Sequence, residues 1–257
     1  MEAKKTSFIS PDSVAGAILG RISALWGLIV FVTTMIVTAF FTLFTYPMKD
    51  PGGTETFRKI GRTWIHTFLF LTFCKIKRKG AENFKPGENY IVIVNHNALI
   101  DIPVSTPEIP GPNKTIAKIE LSRIPIFGII YKRGSVLVDR KDPESRRDSY
   151  RQMKAVLAQG VHMCIYPEGT RNKTDKPLQP FQDGAFKLSV ETGKGVIPAL
   201  LFNTKKVMPR HKPFFFWPSA MEMHFLPAVY PGEYNNNPKE MKEGMYKLME
   251  EYYLANQ

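Results

Sequence analysis

The sequence predicts an α/β fold, a mixed β-sheet covered by helices, preceded by an N-terminal membrane-embedded helical hairpin. Three observations carry that prediction. Residues 22–46 are 25 consecutive positions without a charge. Beyond Gly80, short β-rich runs alternate with amphipathic helical stretches. The chain's 257 residues suffice for one α/β domain with an appendage of some tens of residues. The division expected is an anchoring hairpin over 1–80 and a second domain over 81–257.

The charge-free stretch runs from Ile22 to Tyr46, between Arg21 and Lys49. As a helix it would be roughly 37 Å long, enough for a hydrocarbon core of about 30 Å. Apolar residues ring it on all sides, which disfavours a soluble core helix, and no small-residue cleavage pattern follows it, which disfavours a signal peptide. After a Pro51-Gly52-Gly53 turn comes a second apolar block, Trp64 to Cys74, which at about 16 Å is too short to span. A long helix returning through a shorter one makes a hairpin within one leaflet; a single spanning helix would instead put residues 1–20 on the opposite side. From Lys49 to Lys79 eight basic residues face only Asp50 and Glu55, so half of the net charge of +12 borders the apolar blocks. Anionic membrane lipids are therefore expected partners, at about 1 kcal/mol per well-placed Lys or Arg. Nucleic acid is not, although a pI near 9.6 alone would admit it. Basic residues at Arg21, Arg58 to Arg62 and Lys75 to Lys79 put both flanks of the hairpin in the cytoplasm.

In the second domain the expected strands are Tyr90 to Val94, Thr115 to Ile119, Ser135 to Val138, His162 to Tyr166 and Val196 to Phe202. A helix is expected from Pro143 to Gln159, with Tyr150, Met153, Val156 and Leu157 on one face and Gly160 as its stop. Others are expected around Gly184 to Glu191, stopping at Gly193, and from about Pro238, where Met241, Met245, Leu248, Met249 and Tyr252 form a packing stripe. The basic and aromatic stretch Lys205 to Trp217 reads as a membrane-facing loop or as ordinary core.

Chemistry is expected where strands end, because ligands in α/β sheets collect at the carboxyl ends of strands. The first strand leads into Asn95-His96-Asn97-Ala98-Leu99-Ile100-Asp101, and among five histidines only His96 has an aspartate five positions on. Such a pair works as base and orienter, the carboxylate holding the imidazole tautomer and stabilising the imidazolium. In one straight helix the two side chains would lie about 140° apart. His96 therefore belongs to a turn and Asp101 to the helix start, which Pro103 supports. A structural histidine fits the same spacing. The fourth strand ends in Tyr166-Pro167-Glu168-Gly169-Thr170-Arg171-Asn172, a turn that gathers a carboxylate, a hydroxyl and a guanidinium able to grip phosphate bidentately. A capped turn with a surface ion pair is the plainer alternative. The third strand runs from Gly134 to Asp139-Arg140, and Lys118 closes the second. Two cysteines, Cys74 and Cys164, allow no Cys-rich zinc pattern, and the common hydrolase, metalloprotease and nucleotide-loop motifs are missing from the sequence. No metal is expected.

With these blocks in order, the sequence resembles the lysophospholipid acyltransferases of the bacterial 1-acyl-sn-glycerol-3-phosphate acyltransferase type. Asn95 to Asp101 match the NHxxxxD block, Gly134 to Arg140 the GxxxxDR block, Pro167 to Arg171 the PEGTR block, and Val196 to Ala199 a short apolar-proline block. The likeness covers roughly residues 85–205, and the apolar hairpin is similar to the two-helix anchor of bacterial members. Asn97 and Ala98 stand where glutamine and serine are common, and Gln182 and Asp183 replace a usual basic pair.

The resemblance implies a membrane enzyme of phospholipid biosynthesis on the cytoplasmic face of the inner membrane, with 81–257 as its catalytic domain. An acyl chain would pass from acyl-CoA or acyl carrier protein to a lysophospholipid, giving phosphatidic acid from 1-acyl-sn-glycerol-3-phosphate. No cofactor beyond that thioester co-substrate is implied. His96 is the expected base and Asp101 its orienter. Glu168, Gly169, Thr170 and Arg171 are expected to bind the acceptor, with Lys118 and Arg140 as phosphate ligands and Gly134 and Asp139 entering with their block. Another lysolipid acceptor, such as a lyso-aminolipid, and a non-catalytic lipid-binding protein of the same fold are the alternatives.

Overall fold

The alternating runs beyond Gly80 become a seven-stranded sheet in the computed structural model of the chain, which describes residues 10–257. In chain order the elements are α1 (Val14–Leu43), α2 (Gly52–Leu71), β1 (Lys75–Lys79), β2 (Ile91–Val94), α3 (Asp101–Glu108), β3 (Asn113–Lys118), α4 (Phe127–Arg133), β4 (Ser135–Val138), α5 (Pro143–Ala158), β5 (His162–Ile165), α6 (Gly184–Thr192), β6 (Val196–Phe202), α7 (Thr204–Val207), β7 (Ala220–Phe225) and α8 (Pro238–Ala255). The first nine residues of the expected anchor lie outside the described residues.

Strand order is β1-β7-β6-β2-β5-β3-β4, parallel throughout except for the antiparallel pair β6 and β7. All five expected strands form. β2 lies at the centre and is buried on both faces, as a parallel strand covered by helices must be. Its side chains alternate between two layers: Ile91 and Ile93 pack with Met153 and Leu157 of α5, Phe186 of α6 and Met241, Met245 and Met249 of α8. Val92 and Val94 face the other way, into a cluster with Tyr166, Ile197 and Met223. Beyond that face α1, α2, α3 and α4 close a third cluster around Val30, Ile65, Phe68, Val104, Ile130 and Phe216. Each of these fully buried side chains contributes about 1.5–3 kcal/mol through apolar burial.

Two strands escape the sequence pattern. β1 reads Lys-Ile-Lys-Arg-Lys, and only Ile76 turns inward. It is an edge strand, where lysines guard the open backbone against further pairing, so no apolar alternation announces it. It pairs with β7, the other unanticipated strand, and so the segment assigned to the anchor supplies one edge of the sheet. α2 likewise starts twelve residues before its apolar block. Its first half is held by docking on the sheet: Phe57 presses on Gly134, where an added Cβ would come within 2.6 Å of the ring. Gly134 therefore serves the seating of α2 at the start of β4, at the sheet edge opposite Asp139 and Arg140, and is not part of the site expected there.

α1 is the one described helix long and apolar enough to cross a membrane. Ile18, Ile22, Leu25, Ile29, Ile36, Val37, Phe40 and Phe44 are exposed along it, and Phe70 and Phe73 continue the apolar surface past α2. Both ends of α1 are nevertheless fastened to the sheet domain. Near its start, the Phe216 amide donates to the Gly20 carbonyl at 3.0 Å and Lys212 Nζ bonds Asp12 at 2.6 Å. Just past its end, Arg133 of α4 donates to Thr45 O and to Asp50 Oδ1, which lies 3.0 Å away, while Lys114 of β3 donates to Asp50 Oδ2 at 2.7 Å. These two cations hold the Asp50 carboxyl well below the usual carboxylate range against the cost of its burial.

Candidate active site

Because β2, β5, β3, β4 and β6 run parallel, their carboxyl ends share one edge of the sheet, and β2 lies between β6 and β5 there. Just past the end of β2, Asn95 extends the pairing with β6 through its side chain: Oδ1 accepts from the Leu201 amide at 2.7 Å and Nδ2 donates to the Leu201 carbonyl at 3.1 Å. The next residue, His96, sits in the turn, and Asp101 is the first residue of α3, as the five-residue spacing predicts.

The dyad forms. His96 Nδ1 lies 2.9 Å from Asp101 Oδ2, with the aspartate fully buried and the histidine partly open. The same oxygen accepts from the backbone amides of Asn97 and of Ala98, the latter at 2.7 Å. Three N–H groups converging on one carboxylate oxygen assign the donor role to Nδ1, which leaves the lone pair on Nε2. Beneath the imidazole lies the Tyr166 ring, 4.8 Å between centroids, whose hydroxyl meets Ser105 Oγ at 2.5 Å. Burial raises the Tyr166 pKa well above its ordinary value, so that hydroxyl keeps its proton.

The turn after β5 wraps around the main chain of His96. Glu168 Oε1 accepts from the His96 amide at 2.7 Å and Oε2 from the Gln179 amide at 2.9 Å, while the Asn172 amide donates to the His96 carbonyl at 2.6 Å. Glu168 is thus buried with both oxygens on backbone amides, a clasp where the resemblance suggests an acceptor ligand. Burial pushes its carboxyl above the ordinary range even though the two amides pull it down. Gly169 adopts φ of 71°, the left-handed conformation that glycine takes without strain, and its carbonyl accepts from Arg140. Thr170, Arg171, Lys118 and Arg140 are exposed at this edge. Asp139 instead caps its own turn, accepting from the Lys141 amide at 2.9 Å. The positioning roles of Asn172, Gln179, Ser105 and Tyr166 carry no mark in sequence beyond their nearness to the blocks.

A cavity of about 600 Å³ opens beside Asn97 and Ala98, a volume usual for a small-molecule site. Gly27, Leu28 and Phe31 of α1, Ile65 and Phe68 of α2 and Phe214 to Phe216 give it apolar walls, and Arg171 stands at its rim. The stretch Lys205 to Trp217 therefore divides: Phe215 and Phe216 are buried against α1, and Phe214 is exposed. In chemical terms the edge offers a base with a fixed tautomer and guanidinium groups for an anion, and an apolar chamber lined by Arg171 and by the two residues that follow His96.

The family model for acyltransferases matches residues 75–201. A chloroplastic 1-acyl-sn-glycerol-3-phosphate acyltransferase of Arabidopsis thaliana is 33% identical over 62% of this chain and 45% of its own length. A bacterial 1-acyl-sn-glycerol-3-phosphate acyltransferase, from Borreliella burgdorferi, is 31% identical over 56% of this chain and 57% of its own. The matched region thus spans about half the length of these relatives. The crystal structure of the 1-acyl-sn-glycerophosphate acyltransferase PlsC from Thermotoga maritima superposes with a TM-score of 0.79, covering 93% of this chain and 98% of that one at 22% identity, and shares its fold. Over residues 75–201 the chain carries an acyltransferase domain, and in sequence it is similar to 1-acyl-sn-glycerol-3-phosphate acyltransferases.

Proposed function

We propose that the protein transfers an acyl chain from an acyl thioester, acyl-CoA or acyl carrier protein, to the free hydroxyl of 1-acyl-sn-glycerol-3-phosphate, giving phosphatidic acid. The single observation that supports this most is the His96–Asp101 pair, followed directly by Asn97 and Ala98 in the lining of an apolar cavity. His96 Nε2 takes the hydroxyl proton as the oxygen attacks the thioester carbonyl, and Asp101 stabilises the imidazolium formed. The tetrahedral intermediate then collapses: the C–S bond breaks, the new ester forms, and the thiolate takes the proton back from His96. A thiol with a pKa near 8.5 is a good leaving group. Among the described residues no serine or cysteine is bonded to the pair, which favours direct transfer. Arg171, Thr170, Arg140 and Lys118 offer the anion contacts of the acceptor.

The test is an assay of purified protein with both carriers against a panel of lysolipids. Formation of phosphatidic acid from lysophosphatidic acid is expected, and a chain that acylates only a lyso-aminolipid, or nothing, overturns the reading.

The same reading sets the protein on the cytoplasmic face of the membrane, with α1 and α2 as the anchor. α1 is about 45 Å long, yet contacts to Arg133, Lys114, Phe216 and Lys212 fasten both of its ends to the sheet domain, which supports a hairpin dipping into one leaflet. Ser10→Cys and Gly52→Cys, probed in intact cells with a membrane-impermeant thiol reagent, should both stay unlabelled until the membrane is opened. Both native cysteines are buried, so the background is low. Labelling of Ser10→Cys from outside would rule out the hairpin.

A further inference from the structure

The cavity rim carries more positive charge than the sequence blocks account for. Besides Arg171, residues Lys173, Arg210 and Lys212 line the same opening, the last two from the loop that follows α7. Of these four cations only Lys212 has an acidic partner among the described residues, Asp12 at 2.6 Å, and that aspartate is 82% exposed. The carboxylate side of this pair is open to solvent, so Lys212 can trade it for another anion, while its bond to the Pro11 carbonyl at 2.8 Å and the Phe216 amide on Gly20 keep the start of α1 fastened. Arg210 donates to the Lys173 carbonyl, which ties this loop to the turn that holds Arg171. The loop is also seated on α1, by Phe215 against Gly20 and by the Phe216 amide on the Gly20 carbonyl. Lys118 and Arg140, by contrast, do not line this opening, and Arg140 donates to Gly169 O on the other side of the turn.

An apolar chamber closed by a ring of cations is shaped for an amphiphile with one hydrocarbon chain and a compact anionic head. We propose that Arg210 and Lys212, together with Lys173, extend Arg171 into a clamp for the phosphomonoester of the lysolipid acceptor, whose chain fills the cavity. The assignment rests on the acceptor reading above and adds to it the residues that select a phosphate head. The charge balance favours the acceptor over the donor. A lysophosphatidate carries its phosphate one glycerol away from the chain, at the mouth of a chamber the chain fills, whereas the phosphates of a coenzyme lie a full pantetheine arm from its acyl group. Phosphate binding replaces Asp12 on Lys212 with a dianion, and charge-assisted hydrogen bonds to phosphate are among the stronger polar contacts. The clamp so discriminates against lysolipids with a neutral head.

The test is initial-rate kinetics of Arg210→Ala, Lys212→Ala and the double variant, with Lys239→Ala/Lys247→Ala on α8 as a control of equal charge change. In the double variant the KM for 1-oleoyl-sn-glycerol 3-phosphate should rise by about ten- to a hundredfold. kcat and the KM for the acyl donor should stay within about twofold, and the control should match the wild type. An unchanged acceptor KM, or an equal rise for the donor, overturns the clamp. If the wild type forms no phosphatidic acid at all, the acceptor reading itself fails. The clamp is then read by calorimetric binding of an unreactive 1-O-alkyl-glycerol 3-phosphate in detergent micelles. Loss of binding in the double variant supports the clamp, and equal binding overturns it.

Discussion

Replacing His96 with alanine should lower kcat for acyl transfer by about 10³-fold, the middle of the range for a positioned general base, and leave the fold and membrane attachment intact. The fold should survive because the substitution does not orphan a charge. Asp101 Oδ2 keeps the amides of Asn97 and Ala98 as donors when the imidazole is gone. Asp101→Asn should be nearly as severe, for two reasons. An amide is neutral and gives no charge to stabilise an imidazolium at Nδ1, and where its NH2 turns to donate to Nδ1 the tautomer with its lone pair on Nε2 is no longer selected. The double variant should be no worse than His96→Ala alone, because the two residues act as a unit. Acyl transfer is measured at saturating acceptor and donor, and thermal unfolding and vesicle co-sedimentation are measured alongside. Near-normal turnover by folded His96→Ala would sink the mechanism.

What the sequence made legible follows the physics of each signal. β2, β5 and β6 were readable because a strand buried on both faces must be a short apolar run, and β3 and β4 because alternate positions turn inward, each strand ending in a polar turn that stops it. The His96 turn was readable because a spacing of five is incompatible with one helix face, which forced the pair onto a strand end and a helix start. β1 was not readable: an exposed edge strand needs only backbone pairing, which any residue supplies, and Lys75 to Lys79 look like part of a basic flank. The first half of α2 was hidden for a related reason, since its partners, Gly134 and the α3 end at Pro107 and Glu108, are far away in the chain. Arg58 donates to the Pro107 carbonyl at 3.1 Å and His66 Nε2 lies 2.5 Å from Glu108, so residues that read as lipid-facing charge are partly occupied in seating the helix. Roles settled by tertiary contact, such as the Asp50 network and the Arg210 and Lys212 rim, leave no local pattern at all.

The Glu168 clasp separates a positioning role from the ligand role that the PEGTR block suggests. In the structure its two oxygens hold the amides of His96 and Gln179. Glu168→Ala leaves both amides without an acceptor, at about 1–3 kcal/mol each if they stay buried, so the variant should lose about 2–5 kcal/mol of stability. kcat should fall by about 10²-fold as the His96 main chain loses one of its two ties, the Asn172 amide on its carbonyl remaining. The acceptor KM should hardly move. A rise in acceptor KM with unchanged thermal stability would show instead that Glu168 touches the acceptor. The pH profile gives an independent check. A carboxyl whose folded pKa lies above its unfolded one binds its proton more tightly in the native state, so its ionisation removes stability as pH rises from the unfolded value through the folded one. Glu168→Gln has no such ionisation. The unfolding free energy of the wild type minus that of Glu168→Gln should therefore fall as pH rises through that interval and level off above it. A difference that rises with pH would mean that the two amides, and not burial, dominate the carboxylate.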